Sequence, residues 1–257
     1  MPEGASTTPW AARVEVLDEI DSTSSEAMRR AIAGETGPLW LRANAQTHGR
    51  GRSGRTWASP RGNFYATLLL APQCTPATVH QLSLLAGIAV HHSIGSAGVA
   101  PPGLRLKWPN DVLIDGAKVA GVLAESIGGQ GGALLALLGI GINLFSAPAK
   151  SGQATTHLAA HGINLEPEAT LQTLDAAVSR WLAVWDRGNG FATIRGAWLE
   201  RTGPEGENLA INAGGGRVEG RFAGLDADGS LLLRDGEGRA RRFTFGDVTV
   251  VSGRSGA

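Results

Sequence analysis

Residues 46–57 read QTHGRGRSGRTW. Within them GRGRSG (49–54) fits G-x-G-x-x-G, the pattern of a dinucleotide-binding turn. That turn needs a strand before it, a helix opening on its third glycine, and an acidic residue about 20 positions further on. PLWLRANA (38–45) can supply the strand. The following RTWASPRGN carries Pro60 and Gly62 and does not start a helix. No Asp or Glu occurs from Thr36 to Asn110. The Rossmann reading fails on this context, and a glycine loop carrying Arg50, Arg52 and Arg55 needs another explanation.

The basic loop sits in a chain that is neutral as a whole. The 257 residues carry a formal net charge of zero, which argues against a dedicated nucleic-acid binder. Residues 1–35 hold seven acids and three bases, whereas 36–110 hold seven bases and no acid. One basic tract in a neutral protein suits a compact anion better than a long polyanion. A hydrophobic content of 42% with 18% charged residues predicts a packed core. No apolar run approaches the roughly 20 residues of a membrane span, and the start MPEGASTTPW has no signal-peptide pattern. The single cysteine, Cys74, excludes an internal disulfide, fits a reducing cytoplasm, and reads as a small packed side chain.

The pattern along the chain predicts an α+β fold. Strands are expected at 14–20, 38–45, 63–71, 104–108 and 132–145, with two more joined by an Asp115-Gly116 turn. DSTSSEAMRRAIAG reads as a helix with Thr23 and Glu26 as a capping box and Gly34 as its stop. A long helix is expected from about 76 to 96. Leu171, Leu174, Val178, Trp181, Leu182 and Trp185 share one face of another, and Phe191 to Arg201 forms one more. Beyond Gly203 the text changes to short strand-like pieces separated by GGG, DADG and DGEG, the signature of a small β-barrel. The expected division is a tail at 1–12, a catalytic domain at 13–202, and a C-terminal β domain at 203–257.

Four segments then stand in one order: DSTSSEA (21–27), QTHGRGRSGRTW (46–57), KWPNDVLIDGAKVAGVLAE (107–125) and GIGINL (139–144). Together they resemble the biotin protein ligases, over roughly residues 14–251. The resemblance implies the class II synthetase-like fold, a mixed central sheet with packed helices, followed by an SH3-like barrel. It also implies a two-step reaction. Biotin's carboxylate attacks the α-phosphorus of ATP, with Mg²⁺ present, and a lysine of the biotin carboxyl carrier protein then takes the acyl group and releases AMP. The glycine-arginine loop becomes a clamp over an acyl-adenylate. Glycines let backbone N–H groups approach phosphate, and arginines supply forked donors.

Residue roles follow from the same resemblance. Ser22, Thr23 and Gln46 would meet biotin's ureido ring, with Gly49 and the backbone of Arg50 beside it and Trp57 as an apolar wall. Arg52 and Arg55 would hold phosphate. Lys118, in K-x-x-G with Gly121, is the principal catalytic candidate, set between biotin's carboxylate and the α-phosphate. Lys107, Asn110 and Asp111 would serve the triphosphate, the adenosine side and Mg²⁺. Gly139, Gly141 and Asn143 would face the nucleotide. The histidines make no protein metal site: His157 and His161 have no third ligand in view, and His48 can at most touch phosphate. Only about 20 residues precede DSTSSEA, so no DNA-binding domain is expected. The family resemblance admits a homodimer through the central sheet. Lipoate ligation or octanoyl transfer is the neighbouring activity, and a non-catalytic biotin sensor is the rival of another class.

Overall fold

The computed structural model describes residues 10–98, 101, 103–148, 153–214 and 216–251. The expected loose tail falls mostly outside this set. Within it, Trp10 is anchored by a 2.9 Å hydrogen bond from its Nε1 to Asp175.

A seven-stranded sheet organises the larger part of the molecule. Its strands are β1 (Arg13–Ile20), β2 (Leu39–Gln46), β3 (Phe64–Leu70), β4 (Arg105–Lys107), β5 (Asp111–Ile114), β6 (Ala117–Gly128) and β7 (Leu134–Ile142). They lie in the order β1-β2-β3-β7-β6-β5-β4. Only β1 and β2 run parallel, because α1 (Thr23–Ile32) crosses between them. Side chains alternate between the faces. Leu39, Leu41, Leu69, Leu135 and Leu137 pack with Ala27 and Ala31 of α1. Trp40, Leu68, Leu70, Ala136, Leu138 and Ile140 enter the larger core with α2 (Gln81–Gly95), α3 (Pro167–Trp185) and α4 (Phe191–Leu199). Both faces are covered along these stretches, which is why β3 and β7 read as unbroken apolar runs. As the middle layer between sheet and outer helices, α2 is buried on most sides, and α3 buries the expected stripe from Leu171 to Trp185.

Two helix starts differ from the sequence expectation. The cap of α1 is Ser22, whose Oγ accepts from Ser25 N, and Thr23 is already helical. Glu26 does not reach back to close a capping box; its carboxylate pairs with Arg29 and Arg30. The long helix begins at Gln81, because residues 76–80 form turns closed on Thr75 O by Thr78 N and Val79 N.

The sheet register positions the open part of the α1 face. Cross-strand pairing sets Ala43, Tyr65, Gly141, Gly121, Asp111 and Lys107 in one transverse row. Facing glycines thus make a trough, with a carboxylate and an ammonium along one side. A bulge in β6, between the pairs Val112–Ala120 and Leu113–Lys118, adds one residue. In a regular strand, Lys118 and Gly121, three apart, would face opposite sides. The extra residue sends Val119 and Ala120 both into the core and returns Lys118 to the Gly121 side.

The second sheet is antiparallel and five-stranded, ordered β11-β10-β9-β8-β12. Its strands are β8 (Asn208–Ala213), β9 (Gly216–Leu225), β10 (Leu231–Arg234), β11 (Ala240–Phe243) and β12 (Asp247–Val250). The DADG turn between β9 and β10 seats it on the larger part. Trp108 Nε1 donates to Gly229 O at 3.1 Å, and a Cβ on Gly229 would fall 2.9 Å from Leu84.

His91 on α2 ties the stability of the fold to pH. Burial, with help from the charge of Arg201, pushes its pKa from 6.5 down to about 4. The unfolded chain takes up this proton first, so stability is lost as pH falls from 6.5 toward 4. The expected loss at pH 4.5 is about 2 kcal/mol. Denaturant titrations at pH 7 and 4.5 should show His91→Gln losing less than the parent by about that amount.

Candidate active site

A cleft of about 620 Å³ opens between the uncovered sheet face and the edge of the second sheet. Of the residues singled out from sequence, it gathers Ser22, Thr23, Gln46, Arg50, Arg52, Arg55, Trp57, Lys107, Asn110, Asp111, Lys118, Gly121, Gly139, Gly141 and Asn143. Gly49 does not line it. Gly49 is buried under the loop, where a Cβ would fall 2.3 Å from Trp57 O and 2.5 Å from Ser59 Oγ, so glycine is needed there for close packing. His48 is also absent from the lining and bonds Thr47 through Nδ1.

One end of the cleft is uncharged and polar. Gln46, at the end of β2, accepts from Thr23 N at 2.8 Å and Thr23 Oγ1 at 3.1 Å, and donates to Ser59 Oγ at 2.8 Å. The N-terminus of α1 and the exit of β2 are thereby fixed to each other. In the middle, the Trp57 ring lies over the glycine trough. A Cβ on Gly141 would sit 2.5 Å from Trp57 Cε2, and one on Gly121 3.2 Å from Cζ3. Trp57 Nε1 is buried without a partner.

The other end is strongly charged. Asp111, almost fully buried, holds Lys118 Nζ at 2.5 Å and Lys107 Nζ at 2.9 Å. Burial alone would raise its pKa, but the two ammonium groups outweigh it and hold the carboxyl below its usual range. Burial lowers the pKa of Lys118, and Asp111 opposes that shift. Lys118 also stands 5.2 Å from the Trp57 ring centroid, where the aromatic face favours a cation. Its backbone is held from the far side, with Lys118 N donating to Ala154 O and Thr156 N donating to Lys118 O.

The roof comes from β12, almost two hundred residues away in sequence from the loop it meets. Arg55 Nη2 bonds Asp247 at 2.6 Å, Arg52 Nη2 bonds Gly246 O at 3.2 Å, and Lys107 Nζ bonds Val248 O at 3.0 Å. Burial lowers the pKa of Arg52, with Asp247 and Asp111 opposing. Arg50 turns away and makes a forked pair with Glu125. The amides of Asn110 and Asn143 are engaged by the fold: Asn110 with Arg52 and Val122 O, Asn143 with Thr156 O. Among the described residues no group of three His, Cys, Asp or Glu could cage a metal. His157 instead caps a short turn through Ala160 N, and His161 bonds Thr156.

Sequence reasoning did not find Ser24, Asn212 or Asp247, which also line the cleft. Ser24 lay inside a quoted motif. Asp247 sits in an ordinary strand and carries no local signal. The assembled cleft has a hydrogen-bonding pocket at one end, a trough, and a cluster of cations at the other. Such a layout can hold a small polar head group and bring its far end against a polyanion.

Comparison with known proteins gives the same picture. Residues 20–143 match the biotin/lipoate A/B protein ligase family, and residues 206–251 match the biotin protein ligase C-terminal domain. A biotin–[acetyl-CoA-carboxylase] ligase of Paracoccus denitrificans is 41% identical over 87% of this chain and 95% of its own length. A ligase of the same name from Mycobacterium tuberculosis is 31% identical over 92% of this chain and 88% of its own length. The solved biotin protein ligase of Aquifex aeolicus, in complex with biotin and ATP, superposes with a TM-score of 0.79 at 27% identity, covering 93% of this chain and 99% of that one. With motifs, cleft and relatives in agreement along nearly its whole length, the chain belongs to the biotin protein ligase family.

Proposed function

We propose that this protein activates biotin with ATP as biotinyl-5′-AMP and transfers it to a lysine of a biotin carboxyl carrier protein. The observation that carries the mechanism is Lys118, returned by the β6 bulge to the seam between the glycine trough and the cation cluster. In the first step a biotin carboxylate oxygen bonds to the α-phosphorus, and the bond to the β-phosphate oxygen breaks, releasing pyrophosphate. Two anions must approach each other, and Lys118 at their meeting point offsets the repulsion. Arg52, Arg55 and Lys107 take phosphate oxygens in exchange for the Gly246, Asp247 and Val248 groups they now hold. In the second step a neutral lysine amine of the carrier attacks the acyl carbon. It loses a proton, and AMP leaves.

Ser22, Thr23 and Gln46 hold the ureido ring, and Trp57 covers the trough. Among the described residues two carboxylates line the cleft, Asp111 and Asp247, and they would hold a Mg²⁺ carried in by the triphosphate. Such a Mg²⁺ would need no protein cage and would neutralise phosphate charge. Residues 13–202 supply the chemistry, and the second sheet, within the 203–257 division, supplies the roof. ATP as a substrate and a single cysteine with no disulfide partner support a cytoplasmic site for the reaction. A second copy would add strands at the open edges of β1 or the far half of β6.

Transfer is read as a mass gain on an apo carrier domain, with ATP, Mg²⁺ and biotin, lipoate or octanoate. Only biotin should transfer, and Lys118→Ala should lower the rate about 10²–10³-fold. Gain with lipoate or octanoate alone would move the chain to the sister activity. Trypsin cleavage at Arg50, Arg52 and Arg55 should slow when biotin and ATP close the loop together. An unchanged digestion rate would refute that closure.

A further inference from the structure

Two buried hydroxyls at the polar end of the cleft take no part in the roles above. Thr67 on β3 is fully buried, and Ser24 in the first turn of α1 nearly so. Thr67 Oγ1 donates to Thr23 Oγ1 at 2.9 Å and lies 3.2 Å from Ser24 Oγ. Thr23 Oγ1 passes the chain on to Gln46 Oε1.

The direction of this chain is fixed by proton counting. Gln46 Oε1 receives Thr23 N–H, a group that can only donate, so the amide cannot be turned over. Its Nε2 donates to Ser59 Oγ, which donates in turn to Trp57 O at 2.9 Å. A hydroxyl has one proton to give. Thr67 gives its proton to Thr23, so the bond between Ser24 and Thr67 must be donated by Ser24. Ser24 lines the cleft, and with its proton turned toward Thr67 its Oγ has lone pairs only to offer a ligand. Gly139 stands across from Thr67 on β7, and a Cβ there would fall 2.5 Å from Ser24 Oγ. The glycine therefore leaves the space in which this hydroxyl sits.

We infer that Ser24 is an acceptor-only contact for an N–H of the ligand's head group, and that Thr67 is the positioning residue that makes it so. The inference rests on the biotin reading and gives it a basis for selectivity. A ureido ring carries N–H donors, whereas a dithiolane ring or an octanoyl tail has none and would leave the Ser24 lone pairs without a partner.

The test compares wild type with Thr67→Val, Thr67→Ser and Ser24→Ala, measuring KM and kcat for biotin in the transfer assay, biotin Kd by calorimetry, and the melting temperature. Losing one hydrogen bond should raise KM and Kd about tenfold in Thr67→Val and Ser24→Ala. We expect kcat to stay within about twofold, since the contact is made equally before and during the chemistry. Thr67→Ser keeps the hydroxyl and should restore both constants. An unchanged KM in Thr67→Val or Ser24→Ala overturns the inference. So does equal damage in Thr67→Val and Thr67→Ser, which would mark a packing effect. Wild type that transfers biotin while Thr67→Val matches it removes only the hydroxyl chain. Wild type that binds no biotin removes the ligase reading and this inference together.

Discussion

A carboxylate taken out of water demands compensation, and in this molecule Asp111 receives it from two lysines at once. That constraint settles much around it. Lys107 and Lys118 come from different strands, so β4, β5 and β6 must keep their register for the three groups to meet. The arrangement also keeps two like charges close together inside a half-enclosed cleft, which a protein does at a cost unless an anion holds them. Asp111 is that anion. A polyphosphate would bring more negative charge to the same place, and the cations are already gathered for it.

The second sheet serves the same electrostatic scheme from above. Gly246, Asp247 and Val248 give two carbonyls and a carboxylate to three separate cations. The two carbonyl contacts are part-buried and the Arg55–Asp247 pair is exposed, and each is a single polar contact worth about 1–3 kcal/mol or less, small beside the packing of the core. Their weakness suits exchange: a phosphate oxygen can replace a carbonyl without disturbing the core. The firmer attachment of the sheet lies elsewhere, at the 226–229 turn against Trp108 and Leu84. Holding the roof by apolar packing at one side and by exchangeable polar bonds over the cleft lets ligand enter without unseating it.

Much of this was legible in the sequence, for stated reasons. β3 and β7 declared themselves because both of their faces are buried. The stripe on α3 was visible because only one of its faces is. α2 starts later than the pattern predicts because Thr75 closes a turn whose residues share the composition of the helix after it. The cap of α1 was set one residue late because Ser22 and Thr23 are both competent caps, and tertiary bonds to Gln46 and Thr67 decide between them. Motifs revealed the cleft's floor, since those residues lie close together along the chain. They could not reveal Asp247, whose place depends on how two sheets dock, nor Thr67, which reads as one polar residue in an apolar strand.

The added residue in β6 has a hereditary consequence. Substitutions around Val119 and Ala120 change only packing, but a one-residue deletion there would restore strict alternation. Lys118 and its glycine would then stand two apart and would still share the cleft side, opposite Leu113 and Asp111, but the local kink that the extra residue gives β6 would be gone. Drift by single-letter replacement therefore leaves that kink in place, while drift in length removes it. The interval between this lysine and its glycine sets the bend of the strand, and the letters between them set only its packing.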